Sequence, residues 1–419
     1  MRADKKDNIV KNYAFAKEAF AEYGVDTDKV LKFFSGLKMS VHCWQGDDVT
    51  GFEKMEGVTS QNVVTGAYPG AAKNGDQLRA DIDKALSYSP FSHKINLHSM
   101  YAEGKNDRSK VEFSDFSRWV DWAKEKGYGL DFNASFFTHP MMDNGMSLAS
   151  RKKEVRDYWI EAGIGARKIS YEMGKATGQV CVNNIWVPDG LKDLPADRLA
   201  YRELLTDSLN KVLAQKYDRK YMIDALEGKL FSIGVESFTV GSHDFYQAYS
   251  LKNNVGICMD IGHYHATESA ADKVSALAPF YDDILLHITR GVRWDSDHVV
   301  LQSDEVLSLF EEIHRGNFFD KFHMGLDFFD ASINRIAAWA VGLRATAKSL
   351  LTALLEPVAL LKKAEESGDF TRRLVLTDEM KNLPVNAVWD YLLLSKDIAA
   401  GAGYVEEIKQ YEKDVLLKR

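Results

Sequence analysis

The sequence predicts an α/β fold: a (β/α)8 barrel with a helical arm at its N-terminus and a helical extension at its C-terminus. Two observations lead to this prediction. Eight short apolar runs alternate with longer stretches of helical periodicity, which is typical of parallel strands joined by helices, and both ends of the chain are helical in pattern without such runs. An open doubly wound sheet alternates in the same way, so the pattern alone leaves that alternative open.

The arm, the barrel and the extension are predicted at residues 1–35, 36–333 and 334–419, respectively. Apolar residues at helical spacing, such as Phe20 and Tyr23, indicate the arm. The eight predicted strands are Met39–Trp44, Ile95–Met100, Gly129–Asn133, Val180–Trp186, Ile223–Leu226, Val255–Met259, Ile284–Ile288 and His323–Leu326. The predicted helical stretches between them include Phe113–Lys126, Arg151–Thr177, Arg198–Lys216 and Asp304–Arg315.

Composition and charge narrow the class of protein. With 419 residues, of which 45% are hydrophobic and 27% charged, the chain can bury a large core without disulfides. Lys and Arg number 53 against 61 Asp and Glu, a net charge of −8 that argues against broad nucleic-acid binding but leaves room for a local basic groove. Walker A, dinucleotide-binding and G-x-S-x-G patterns are absent from the sequence, which argues against nucleotide cofactors and serine-hydrolase chemistry.

Cysteine usage and hydropathy suggest a cellular location. The sequence has only three cysteines, Cys43, Cys181 and Cys258, and their spacing is not that of a metal site. A small, odd number of cysteines favours a reducing compartment over a disulfide framework. The N-terminal segment is charged and lacks the apolar core of a signal peptide. Uncharged apolar runs stay well below the ~18 residues of a membrane span. We therefore expect a cytoplasmic protein that does not contact the membrane.

Polar side chains follow four consecutive predicted strands at the end where a barrel carries its active site. They are Glu227 and Lys229, then Asp260 and His263, then His287, and finally Asp327. Carboxylates are rarely buried unless they are paired or bound to metal, and oxygen and imidazole ligands suit Mg²⁺, Mn²⁺, Co²⁺ or Zn²⁺. A single histidine in a barrel strand is more often a core residue, but the coincidence of so many ligand types favours a metal site.

The segment RGVRWDSDHVV after the seventh strand adds a second set of ligands. Asp295 and Asp297 are two residues apart, so in an extended loop both point to one side and, with His263, can reach one cation. A DSD sequence is also common in solvated turns and at helix N-caps. If the metal interpretation is correct, two divalent cations would polarise the oxygen atoms of a substrate and lower the pKa of a bound water.

Several residues near the same end are candidates for contact with a sugar. Trp44 and Trp186 lie at strand ends, where a flat ring can pack against the apolar face or methyl group of a sugar, or can simply cover the barrel. His98 and Asn133 end the second and third strands, where each can bind a hydroxyl group or belong to the core.

The segments HCWQGDD, NIWVPDG, ESFTVGS, RWDSDHVV and GLDFFDASINRIAAW closely resemble the L-rhamnose isomerase family, bacterial aldose–ketose isomerases of rhamnose catabolism. The resemblance runs from about residue 10 to the C-terminus, and its last two segments are long and specific. It implies a barrel of the xylose-isomerase type, a homotetramer, and Mn²⁺ with a second divalent metal, either Zn²⁺ or Mn²⁺. It also implies conversion of L-rhamnose to L-rhamnulose by hydrogen transfer between C2 and C1, through a hydride shift or an enediol.

The resemblance assigns roles residue by residue. It implies a first metal site that anchors substrate oxygens, formed by Glu227, Asp260, His287 and Asp327, and a second, catalytic site with a metal-bound water, formed by His263, Asp295 and Asp297. Lys229 is expected to contact a substrate oxygen, and Asp320 to belong to the water network of the second site. Trp186, His98, Lys229 and Glu227 are the expected substrate-binding residues. The alternatives are another metal-dependent sugar isomerase or epimerase on this barrel, a metal-dependent phosphodiesterase and a carbohydrate-binding module.

Overall fold

The computed structural model describes residues 3–53, 66–104, 107–230, 237–292 and 294–419, without the side chains of residues 3–5, 292 and 294–296. Eight parallel strands close into a barrel. These strands are β1 Lys38–His42, β2 Ser92–His98, β3 Gly129–Asn133, β4 Cys181–Trp186, β6 Met222–Glu227, β8 Gly256–Asp260, β9 Ile284–Ile288 and β12 Phe322–Leu326. Their order around the barrel is β1-β12-β9-β8-β6-β4-β3-β2. Because β1 pairs with both β2 and β12, the sheet has no open edge. The barrel prediction is confirmed and the open-sheet alternative is excluded.

All eight predicted strands are present in the barrel, with differences at their ends. The predicted first and second strands are too long, because the chain turns into short 3₁₀ segments at Cys43–Gly46 and Ser99–Tyr101. The first of these turns places Trp44 across the mouth of the barrel, where its indole Nε1 donates a hydrogen bond to Asp327 Oδ1 at 3.2 Å. Apolar character continues through both turns, so hydrophobicity alone did not reveal where the strands end.

In the described parts of the loops that follow the barrel strands, four short strands lie outside the barrel. β5 (Gly190–Leu191) pairs with β7 (Phe238–Thr239), and β10 (Arg290–Val292) pairs with β11 (Trp294–His298), both antiparallel. The sequence predicts the segment of β10 and β11 to be a loop, whereas the structure makes it a hairpin. The hairpin is tied to the last barrel strand's loop, because the Phe329 amide donates to the carbonyl of Asp297 at 3.3 Å.

Helices surround the barrel and extend beyond it. Those within the described part of the barrel region are Gly75–Leu86, Ser117–Lys126, Lys153–Thr177, Arg198–Val212, His243–Asn253, Ala270–Leu277 and Asp304–Gly316. The C-terminal ones are Arg335–Leu354, Val358–Glu366, Phe370–Glu379, Val385–Ser395 and Tyr404–Asp414. None of the helices in the described ranges is both long and apolar enough to cross a membrane.

The N-terminal helices Ala3–Ala21 and Thr27–Gly36 correspond to the predicted arm. The first of them packs on the C-terminal helix Val385–Ser395, where the rings of Tyr13 and Tyr391 stack with centroids 3.8 Å apart. The helix Arg335–Leu354 directly follows β12 and is buried on most of its surface, so it occupies the position of the eighth barrel helix. The predicted boundary at residue 333 therefore separates this helix from its strand, and the division into three parts stays a prediction.

Candidate metal centre

Three neighbouring barrel strands and the loop after a fourth direct ionisable side chains into the carboxyl-end mouth of the barrel. Glu227 and Asp260 are the last residues of β6 and β8, His287 lies in β9, and Asp327 follows β12. In the β8–β9 pair, Asp260 is directly opposite His287, so their side chains leave the same face of the sheet. Glu227, Asp260 and His287 are each at most 3% exposed. The barrel therefore brings together the four residues expected for the first metal site.

The distances within this first cluster fit a single cation. His287 Nδ1 lies 3.1 Å from Asp327 Oδ2, 3.5 Å from Glu227 Oε2 and 3.6 Å from Asp260 Oδ2. Two ligand atoms that are each about 2.1 Å from one cation lie at most about 4.2 Å apart. All three distances are below that limit, so these atoms can converge on one ion with small adjustments.

A second cluster shares Asp260 with the first. Asp260, His263 and Asp297 offer ligand atoms that lie within 4.8 Å of one another. His263 Nε2 is 3.8 Å from Asp260 Oδ2, and His263 Nδ1 is 3.1 Å from Glu227 Oε1. The Gly262 amide donates to Asp260 Oδ1 at 2.8 Å and fixes the orientation of the shared carboxylate. The predicted ligand Asp295 lies in β11, but its side chain is outside the described residues.

Electrostatics and hydrogen bonding support the fit of divalent cations to these clusters. Burial raises the pKa of Asp260, and its Oδ2 atom has no hydrogen bond from the described chain. Burial lowers the pKa of His263, but Asp260 and Glu227 outweigh it and raise the pKa to about 10. The buried carboxylates thus favour the protonated form of His263 when no metal is bound. Divalent cations can supply that positive charge instead, while neutral imidazoles serve as ligands.

Aromatic side chains form a continuous wall beside the first cluster. The rings of Trp44 and His98 pack edge to face, with their centroids 4.3 Å apart. The ring centroid of Phe137 lies 5.6 Å from that of His98 and 5.2 Å from that of Trp186. The ammonium group of Lys229 is 4.8 Å from the centroid of the Trp186 ring. A wall of this kind gives the apolar face of a sugar a place to pack while its hydroxyl groups face the carboxylates.

His98 lies in the wall as a neutral ring with both nitrogens engaged. Its Nδ1 atom is 3.0 Å from Ser135 Oγ, and its Nε2 atom is 2.9 Å from the side-chain amide of Asn133. Burial lowers the pKa of His98 to about 3. These contacts engage both ring nitrogens of His98 within the protein, and contact of His98 with a substrate stays a prediction.

The structure corrects the expectation for Asp320. This residue is exposed in the turn before β12, at the amino end of the barrel. Asp327 lies seven residues further on, beyond the whole of β12, and at about 3.3 Å per residue this five-residue strand alone is roughly 16 Å long. Asp320 therefore cannot take part in a water network at the clusters from this position. Asp320 precedes the last predicted strand instead of following it, and this position in the sequence already indicated that it lies away from the site.

Two neighbours of the cluster carry roles that the sequence did not indicate. The Asn184 amide, two residues before the end of β4, donates a hydrogen bond to Glu227 Oε2 and orients that carboxylate. Phe137 lies between His98 and Trp186 in the aromatic wall. An asparagine in an otherwise apolar strand run, as in CVNNIW, is the signal that could have identified Asn184.

A closed parallel barrel with two carboxylate–histidine clusters at the carboxyl ends of its strands defines a (β/α)8 enzyme of the metal-binding class. The chain belongs to the L-rhamnose isomerase family, whose family model, described as "L-rhamnose isomerase (RhaA)", matches residues 7–419. This finding confirms the resemblance drawn from the sequence motifs.

Individual relatives match over almost the whole chain. The chain is 50% identical over 418 residues to an L-rhamnose isomerase of Listeria innocua, covering 99% of this chain and 100% of that protein. It is 47% identical over 419 residues to an L-rhamnose isomerase of Rhodopirellula baltica, covering 99% and 98%. A solved structure of D-psicose 3-epimerase from Clostridium cellulolyticum is 11% identical, with a TM-score of 0.46 over 76% of this chain and 97% of that chain.

Proposed function

We propose that this protein interconverts L-rhamnose and L-rhamnulose as a divalent-metal-dependent aldose–ketose isomerase. The observation that carries the proposal is the pair of clusters that share Asp260 at the mouth of the barrel. Family membership over residues 7–419 supplies the substrate, because the relatives that match along their full length are named for this activity.

Each cluster has a distinct place in the proposed mechanism. Glu227, Asp260, His287 and Asp327 would hold one cation, and His263 and Asp297, with Asp295, would hold another. When bound, the cations would polarise the oxygen atoms on C1 and C2 of the sugar. Lys229 is 6% exposed and beside the Trp186 ring, where its ammonium can donate a hydrogen bond to a sugar oxygen. The aromatic wall excludes water from the carbon atoms between which hydrogen moves.

The hydrogen transfer from C2 to C1 has two possible routes. An enediol route needs a free base within hydrogen-bond reach of the C2 proton. The carboxylates and histidines of the two clusters are all proposed as metal ligands, so a hydride shift, which needs no base at carbon, is the favoured route. Retention of deuterium from C2-labelled L-rhamnose in the product would support the shift, and complete exchange of the label with solvent would refute it.

The test of the proposed function is the formation of ketose from L-rhamnose by chelator-stripped protein, with and without added Mn²⁺. We expect ketose only when metal is present. If no divalent metal restores turnover of L-rhamnose, the assigned substrate is wrong, and a screen of other aldoses would then decide between the proposal and another sugar isomerase on this barrel.

The remaining assignments belong to the same proposal. We take Mn²⁺ as the metal with a second ion of Zn²⁺ or Mn²⁺, a cytoplasmic location, and a homotetramer. The metals are supported by oxygen and imidazole ligand chemistry. The location is supported by three cysteines that are buried and unpaired. The tetramer is a prediction from the family, and the mass of the protein in solution would test it.

A further inference from the structure

Cys258 is a buried thiol that lies against the first cluster and has no role in the proposed mechanism. It is in β8, two residues before Asp260, so both side chains leave the strand on the same face. In the β6–β8 pair it is directly opposite Glu227. Val182, Ala225 and Leu285 form an apolar layer around it. The thiol therefore belongs to the layer of buried side chains directly beneath the metal ligands inside the barrel.

A second set of possible ligand atoms lies between the metal ligands and this layer. Glu227, Cys258 and His287 offer a carboxylate oxygen, a sulfur and an imidazole nitrogen that all lie within 4.8 Å of one another. His287 is 1% exposed, its Nδ1 atom lies 3.1 Å from Asp327 Oδ2, and within the described chain its Nε2 atom has no hydrogen bond. A buried imidazole with an unsatisfied nitrogen, close to a buried thiol and a carboxylate, is an arrangement that a metal ion satisfies and packing does not.

We propose that Cys258, Glu227 and His287 form an overlapping site for thiophilic divalent cations such as Cd²⁺, which excludes the working metal from the first cluster. The inference rests on the proposed function to this extent: Glu227 and His287 are ligands of the working metal. Soft thiolate ligands select soft cations, whereas Mn²⁺ prefers oxygen donors and remains with the carboxylates. The chain thus offers two overlapping ligand sets that share Glu227 and His287, and the softness of the cation decides which set binds it.

The chemistry of this binding event balances without a redox partner. The sulfur–hydrogen bond of Cys258 is broken, a sulfur–cadmium bond forms, and one proton leaves to solvent. Neither the sulfur nor the cation changes its oxidation state. Because Glu227 and His287 cannot serve both positions at once, binding of Cd²⁺ displaces the cation held by the four-ligand cluster.

The test uses the full-length, metal-stripped protein with Cd²⁺ as the probe. Titration is followed by the ultraviolet thiolate-to-cadmium charge-transfer absorption, which reports sulfur coordination independently of catalysis. Cys258→Ala is compared with Cys181→Ala, because Cys181 is a thiol of the same barrel that is equally buried but lies at the start of β4. Cys258→Ser, which keeps the shape of the side chain, replaces Cys258→Ala if that variant does not fold.

We expect the band in the unmodified protein and in Cys181→Ala, and its loss in the Cys258 variant. Loss of the thiolate should weaken Cd²⁺ binding by about tenfold or more, and change the affinity for Mn²⁺ much less. A band of undiminished size in the Cys258 variant would overturn the inference. Turnover of L-rhamnose with Mn²⁺, measured on the same unmodified preparation, tests the proposed function separately.

Discussion

The shared carboxylate Asp260 offers the sharpest test of the two-cluster centre. Asp260→Asn keeps the shape of the side chain and removes its charge, and its Oδ2 atom lies 3.6 Å from His287 Nδ1 and 3.8 Å from His263 Nε2. Removal of a group that only supports a metal ligand costs 10–100-fold in affinity. Removal of a direct ligand of both cations should therefore lower the metal affinity by more than about 100-fold. We expect turnover of L-rhamnose to fall by at least that factor.

The same substitution should change stability in opposite directions with and without metal. Without metal, the buried carboxylate is costly, since burial raises its pKa, so Asp260→Asn should unfold no more easily than the unmodified protein. With Mn²⁺ at a hundred times its dissociation constant, the unmodified protein gains about 2.7 kcal/mol, and the variant should lose most of that gain.

The assay is thermal unfolding of stripped and Mn²⁺-loaded protein, with Asp320→Asn as the control. Asp320 is an exposed carboxylate at the other end of the barrel, so its variant should keep both turnover and the full stabilisation by metal. If Asp260→Asn were stabilised by Mn²⁺ as strongly as the control, Asp260 would not be a shared ligand. A loss of activity in Asp320→Asn would instead support the expected role of Asp320 in the water network of the second site.

Three further predictions concern single positions. Asp297→Asn should lose most turnover and still fold, because it removes one ligand charge from the second cluster; full activity would refute the assignment of Asp297. Trp186→Ala should raise KM more for L-rhamnose, a 6-deoxy sugar, than for its 6-hydroxy analogue, and equal effects on both would exclude packing of the Trp186 ring against the methyl group. His93 is buried at the start of the second barrel strand, where neither of its ring nitrogens has a hydrogen bond from the described residues, and burial lowers its pKa to about 3. The unfolded chain binds a proton there below about pH 6.5 and the folded chain does not, so stability should fall with acid between these two values by at most about 1.4 kcal/mol per pH unit. His93→Phe should make that slope shallower in denaturant titrations of stripped protein, and an unchanged slope would contradict the buried, neutral state of His93.

The barrel was predictable from the sequence because strand periodicity is local. Each of the eight apolar runs, such as Ile284–Ile288, forms a barrel strand in the structure. The site residues that follow these runs could also be predicted, since the carboxyl ends of all strands meet at one face of the barrel. The hairpin of β10 and β11 was not predicted, because its short strands pair outside the core and carry little apolar signal.

The limits of sequence reasoning are clearest for positions defined by neighbouring strands. Asn184 orients Glu227 through a hydrogen bond between β4 and β6; the asparagine in an apolar strand marks the position, but the identity of its partner on the neighbouring strand follows only from the register. Asp320 shows the opposite case: the sequence placed it before the last strand, but the family resemblance assigned it to the other end. The position of a residue relative to its strand was the better guide.

Cys258 and Asp260 show why a strand's own sequence cannot separate a packing layer from a binding layer. Both side chains leave β8 on the same face, into the interior of the barrel. What distinguishes them is the register of the adjacent strands: Cys258 is opposite Glu227 on one side and Leu285 on the other, whereas Asp260 is opposite His287. Cys258 thus has a ligand on one side and an apolar residue on the other. That intermediate position is the reason a soft cation can bind there, and the cadmium titration measures its consequence directly.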